Sequence, residues 1–141
     1  MLKTRDSLGR SSGSPSARPA PQVLVVDDDA DILALVTTRL SRAGYRVLSA
    51  RDGAEGLKLA LEHVPDVIVL DVTMPLMDGY EVTEELRKLE QTRNLPVLLL
   101  TARAAERDVE RGVAAGATDY LTKPFSPQEL ATRVAALVNA G

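Results

Sequence analysis

The 141 residues include no cysteine and a single histidine, His63. Disulfides and thiolate metal sites are thereby excluded, and one imidazole is little to build a zinc centre from. Long apolar runs are missing as well. No stretch approaches the ~20 residues that span a bilayer, and the ~7–15-residue apolar core of a signal peptide is absent from the first residues. Basic charge is scarce where a polyanion would need it. Of 17 basic and 20 acidic residues, Lys3, Arg5, Arg10, Arg18 and Asp6 fall within residues 1–22, which leaves the rest of the chain at −6. A surface that acidic does not suit nucleic acid.

What is present is an ordinary globular composition, 45% hydrophobic and 26% charged, at a length that fits one domain. Residues 1–21 are rich in Ser, Pro, Gly and Arg without apolar periodicity, and read as a disordered tail or linker. The folded domain is expected over 22–141. There the pattern is strand then helix, repeated five times.

Val23-Leu24-Val25-Val26, Val47-Leu48-Ser49-Ala50, Val67-Ile68-Val69-Leu70, Val97-Leu98-Leu99-Leu100 and Tyr120-Leu121-Thr122 read as strands. Mostly apolar at successive positions, they suit a sheet buried on both faces. Helices are expected from Asp29 or Ala30 to Ala43 (Ile32, Leu33, Leu35, Val36 and Leu40 inward) and from Gly53 to His63 (Leu57, Ala60, Leu61 and Val64 inward). Three more follow: Asp78 to about Leu89 (Val82, Leu86 and Leu89 inward), Ala104 to Ala115, and one capped by Ser126 with Leu130, Val134, Leu137 and Val138 inward. The fold class is α/β: a five-stranded parallel sheet with helices on both faces, flavodoxin-like, in strand order 2-1-3-4-5.

All strands but the second end on reactive polar residues: Asp27-Asp28-Asp29, Asp71, Thr101 and Lys123-Pro124. Parallel strands gather their carboxyl ends at one edge, where open α/β sheets bind ligands. Acids, a hydroxyl and an ammonium converging there suit a divalent cation and a phosphate. Asp29 and Asp31 read more simply as helix-start acids that complement the dipole. Met74 and Met77 read as packing and turn residues, and His63 as a solvated helix-end residue.

Four stretches carry a family likeness: Val25 to Asp29, Leu70 to Gly79 (LDVTMPLMDG), Leu100-Thr101-Ala102, and Gly116 to Phe125 (GATDYLTKPF). In that order and at those strand ends, the chain resembles a receiver domain of bacterial two-component response regulators over about Gln22 to Ala140. The resemblance implies Asp71 as phosphoacceptor and Mg²⁺ as cofactor, with Mn²⁺ as a substitute. The metal would be held by Asp28 and Asp71 directly, by Asp27 largely through water, and by the backbone carbonyl of Thr73. Lys123 and Thr101, with the backbone amide of Ala102, would bind the phosphoryl group. Lys123-Pro124 would be a cis peptide. Thr101 and Tyr120 would form the switch that alters a surface of the fourth helix, fifth strand and fifth helix; packing alone is the plainer role for Tyr120. Thr73 and Arg103 would influence how fast water attacks the aspartyl phosphate.

The implied partners are a histidine kinase or phosphotransfer protein, and an output domain or downstream protein, in the cytoplasm, without direct nucleic-acid or membrane binding. Such a domain catalyses only its own phosphorylation and dephosphorylation. A phosphorylation-dependent homodimer through that surface is left open: Asp108, Glu110, Arg111, Asp119 and Arg133 fit the charged dimer face of winged-helix regulators, whereas Thr118 and Ala135 depart from it. The competing readings are weaker. A haloacid-dehalogenase-type phosphatase needs aspartates two apart, and Asp71 is followed by Val72 and Thr73. A nucleotide hydrolase would need a G-x-x-x-x-G-K-[ST] loop, which is absent. A degenerate receiver acting as a phosphorylation-independent binding module would not need the full set of acids, Thr101 and Lys123.

Overall fold

The computed structural model describes residues 19–102 and 106–140, except the side chain of Glu106. The tail expected at residues 1–21 lies almost wholly outside them, as do Arg103 and the expected helix start at Ala104. Where the described chain begins, the Ala20 and Pro21 carbonyls accept hydrogen bonds from Arg46, at 2.8 Å from Nε and 2.9 Å from the backbone N–H.

Strand and helix alternate throughout: β1 (Gln22–Val26), α1 (Ala30–Arg42), β2 (Arg46–Ala50), α2 (Gly53–His63), β3 (Val67–Asp71), α3 (Gly79–Lys88), β4 (Val97–Thr101), α4 (Glu106–Ala115), β5 (Asp119–Thr122) and α5 (Pro127–Ala140). All pairings are parallel, in the order β2-β1-β3-β4-β5, as the sequence predicts.

The central strands β1, β3 and β4 are buried almost end to end, because their side chains feed two cores by turns. Val23, Val25, Val67, Val69, Leu98 and Leu100 pack with Val36 and Leu40 of α1 and Leu130, Val134 and Leu137 of α5. Leu24, Val26, Ile68, Leu70, Val97 and Leu99 pack with Ala60 of α2 and with Tyr80, Val82 and Leu86 of α3. Each fully buried Val, Leu or Ile contributes roughly 1.5–3 kcal/mol.

Helix starts follow local chemistry. Asp29 caps α1 by accepting from the amides of Asp31 (2.9 Å) and Ile32 (3.2 Å). Asp78 and Glu81 form a reciprocal capping box on α3. Gly116, at φ 105°, ends α4 in a left-handed conformation that a Cβ would oppose.

Three residues expected in the core are exposed. At ~100° per residue, Leu35 falls outside the arc that holds Ile32, Leu33, Val36 and Leu40, and it is 49% exposed. Val64 ends α2 at φ 42° and points outward, while the following Pro65 is buried in its place. Leu89 has already left the helix, in extended backbone, so helical spacing no longer governs where it points. Leu57 and Leu61 are only half-buried.

Candidate functional site

Strand register builds the site. Val26 pairs with Leu70 across β1 and β3, so the next residues, Asp27 and Asp71, leave the sheet side by side. Asp71 pairs with Leu100, and Thr101 with Thr122, so Thr101 stands one step further out than Asp71 and Lys123 two steps. Asp27, Asp28 and Asp71 can each direct a carboxylate oxygen to within 4.8 Å of the others. Asp27 and Asp71 are buried and Asp28 is exposed, so the cluster opens to solvent on one side.

Lys123 bridges this cluster. Its Nζ donates to Asp71 Oδ1 at 3.1 Å and to Asp27 Oδ2 at 3.4 Å. The Lys123 backbone N–H donates to the Thr101 carbonyl at 2.7 Å, and the Lys123–Pro124 bond is cis. The remaining Asp27 oxygen, Oδ1, accepts from the Asp29 amide at 2.9 Å. Thr101 is buried at the end of β4, with Ala102 exposed beyond it. Thr73 is exposed two residues past Asp71. Tyr120 is half-buried on β5, against the core under α3 and α4.

The electrostatics are unbalanced. Burial, with Asp27 next and Asp28 a lesser cause, pushes the Asp71 carboxyl up to about 6, although the Lys123 ammonium pulls it down. Burial opposes the charge on Lys123, yet Asp71 and Asp27 outweigh it and hold the ammonium above its ordinary range. Two buried carboxylates, Asp27 and Asp71, thus share one ammonium, and the third acid, Asp28, adjoins them on the exposed side. A hard divalent cation with oxygen ligands fits that donor set.

Two features of the site were given no role by the sequence. Arg51, at the end of β2, donates from Nη2 to the Asp28 carbonyl at 3.3 Å, which ties the acidic turn to the start of α2. Gly79 lets α3 begin directly against β3: a Cβ there would stand 2.5 Å from the Asp71 carbonyl oxygen and 2.9 Å from Val72 Cα. The spacing of 23 residues between Arg51 and Asp28 offers no signal, whereas Gly79 sits inside the LDVTMPLMDG stretch.

Comparison with known proteins agrees with this geometry. The response regulator receiver domain family matches residues 23–135. The alkaline phosphatase synthesis transcriptional regulatory protein PhoP of Bacillus subtilis is 48% identical over 117 residues, which cover 83% of this chain and 48% of PhoP. The chemotaxis response regulator CheY4 of Vibrio cholerae superposes with a TM-score of 0.80 at 38% identity, covering 84% of this chain and 98% of CheY4. The receiver domain of the Pseudomonas aeruginosa sensor histidine kinase PA1611, whose structure has magnesium coordinated in the active site cleft, superposes at 0.79 with 33% identity, covering 85% of this chain and 98% of that one.

The chain belongs to the response regulator receiver domains of two-component systems. It spans about half the length of the curated relatives it matches. Among the described residues no helix is long and apolar enough to cross a membrane.

Proposed function

We propose that the chain is a phosphorylation-activated switch. It takes a phosphoryl group from a histidine kinase or phosphotransfer protein onto Asp71 and passes the change, through its α4–β5–α5 surface, to an output domain or downstream protein in the cytoplasm. The observation that carries this reading is the ammonium of Lys123 lying 3.1 Å from Asp71 within a cluster of three carboxylates. A surface ion pair would not gather Asp27 and Asp28 around it.

In the transfer, an Asp71 oxygen forms a bond to phosphorus as the phosphorus–nitrogen bond of the donor phosphohistidine breaks and the imidazole leaves. Two anions must meet, so the chemistry is chiefly positioning and charge neutralisation. Asp27, Asp28 and Asp71, with the Thr73 carbonyl, would hold Mg²⁺ or Mn²⁺, which supplies positive charge between carboxylate and phosphoryl group when bound. Lys123 moves its hydrogen bond from the Asp71 carboxylate to the phosphoryl oxygens. The Thr101 hydroxyl and Ala102 amide donate to the same oxygens.

Phosphorylation leaves about two negative charges on Asp71, where the carboxylate carried one. Thr101 turns toward them, and Tyr120 follows into the space released, which biases the domain between two packings. The domain acts on no separate substrate and catalyses only its own phosphorylation and dephosphorylation. Incubation with acetyl phosphate and Mg²⁺ tests the reading. A phosphoryl adduct on Asp71, lost in Asp71→Asn, is expected, and an unlabelled protein would mark a phosphorylation-independent binding module instead.

A further inference from the structure

Helix α4 is fastened to α3 by side chains that the acid cluster does not use. Tyr80, second residue of α3, is buried, and its hydroxyl donates to the Asp108 carbonyl of α4 at 3.3 Å. The Arg111 guanidinium, one turn along α4, lies over the same ring at 5.0 Å from its centre. At the far end of the two helices, Arg87 Nε donates to the Gly116 carbonyl at 3.0 Å.

The inner side of α4 shows why Gly112 is there. Glycine inside a helix is destabilising relative to alanine, and Gly112 does not have a left-handed backbone that would call for it. A Cβ at Gly112 would stand 3.3 Å from Leu99 Cδ1 and 3.4 Å from Tyr120 Cε2, so the missing side chain makes room for the Tyr120 ring. Helix α4 therefore lies against two tyrosines, Tyr80 from α3 and Tyr120 from β5.

We infer that the Tyr80 hydroxyl is a latch that holds α4 in the arrangement belonging to unmodified Asp71, and that it opens when the α4–β5–α5 surface changes. This deepens the switch reading and rests on it. An O–H···O contact of 3.3 Å is already long for its type, so a displacement of α4 by about an ångström ends it. The long Arg111 side chain can follow such a displacement. A bond made in only one of two arrangements weakens any ligand that prefers the other, by the factor the bond contributes. Tyr80→Phe deletes the hydroxyl and keeps the ring, its packing and the Arg111 stack.

The test is beryllofluoride binding to the whole chain at saturating Mg²⁺, followed by amide chemical shifts. Tyr80→Phe should bind about two- to five-fold more tightly than the parent, and acetyl phosphate should label it faster by a similar factor. If Tyr80→Phe does not fold, the parent carries the test: its Tyr80 hydroxyl proton should exchange with solvent faster once beryllofluoride is bound, and unchanged exchange overturns the latch. A parent that binds while the variant binds no more tightly overturns the latch alone. So does a variant whose melting temperature falls with its beryllofluoride affinity unchanged, since that marks plain packing. A parent that takes up no beryllofluoride overturns the switch reading, and the latch with it.

Discussion

Lys123 and Asp71, 52 residues apart in sequence, meet at 3.1 Å where β5 and β3 end, with β4 between them. Neither strand could place the pair alone. The ammonium follows β5 by one residue and the carboxylate closes β3, and the parallel register through β4 brings the two ends to the same edge.

Removing that ammonium should separate metal binding from phosphoryl transfer. In Lys123→Ala, acetyl phosphate labelling should fall by roughly 100-fold, the scale of losing an oriented donor to a developing anion. Mg²⁺ binding, measured by calorimetry, should persist or tighten, because a competing cation has left the cluster. Labelling at the parent rate would contradict the role given to Lys123.

The raised carboxyl of Asp71 sets a pH dependence of stability. Its pKa is about 6 in the folded chain against an ordinary 3.8, so between those values the folded state binds more protons than the unfolded one. Metal-free stability should therefore fall as pH rises from about 4 to about 6, by on the order of 2 kcal/mol. Asp71→Asn should recover most of that at pH 7 and change little near pH 4. Mg²⁺ should stabilise the parent and do so less in the variant. Urea denaturation at the two pH values, with and without Mg²⁺, checks all three.

Thr101 should divide modification from its readout. The side chain is buried at the end of β4, and the proposed switch gives it the part of sensing the phosphoryl group. Thr101→Ala should still be labelled on Asp71, within about ten-fold of the parent rate, since one neutral donor contributes ~0.5–1.5 kcal/mol. Amide shifts across α4, β5 and α5 on addition of beryllofluoride should shrink. A full set of shifts in the variant would remove Thr101 from the switch.

Gly79 joins packing to the site. With a Cβ 2.5 Å from the Asp71 carbonyl oxygen, α3 has to move off β3, because backbone atoms cannot rotate out of the way. Gly79→Ala should cost about 1–3 kcal/mol, as overpacking does, and should slow Asp71 labelling even where the protein remains folded. Thermal unfolding and acetyl phosphate labelling of one preparation report both effects.

Two charged residues of the α4–β5–α5 face, Arg133 and Asp119, are already paired within the chain. Arg133 Nη1 reaches Asp119 Oδ2 at 3.2 Å and the Tyr120 carbonyl at 2.9 Å, all within one chain. Thr118, where the sequence departs from the charged dimer pattern, accepts from the Val97 amide at 3.0 Å and donates its own amide to the Val97 carbonyl at 2.9 Å. Its role here is to lead the chain into β5. A homodimer through this face would have to rearrange the Arg133 contacts.

The central strands were legible because burial on both faces leaves a local mark, apolar residues in succession, and short helical connections between strands leave few arrangements for the edge strands β2 and β5, which are less buried. Helix starts were legible for a similar reason, since Asp29, Asp78 and Ser126 cap amides only two or three residues away. Leu35 lies outside the apolar arc that helical spacing itself draws, whereas Val64 and Leu89 point outward because their helices stop there, and hydrophobicity does not carry where a helix stops.

The sequence by itself determined which chemistry was available: acids, a hydroxyl and a lysine at strand ends, with no thiol and one imidazole as alternatives. Tertiary structure alone decided that Asp27 and Asp71 share one ammonium, that Arg51 ties down the Asp28 carbonyl, and that α4 lies against Tyr80 and Tyr120. Such contacts join residues tens of positions apart. They follow from strand register and helix seating, which many side chains set together and no single stretch of sequence encodes.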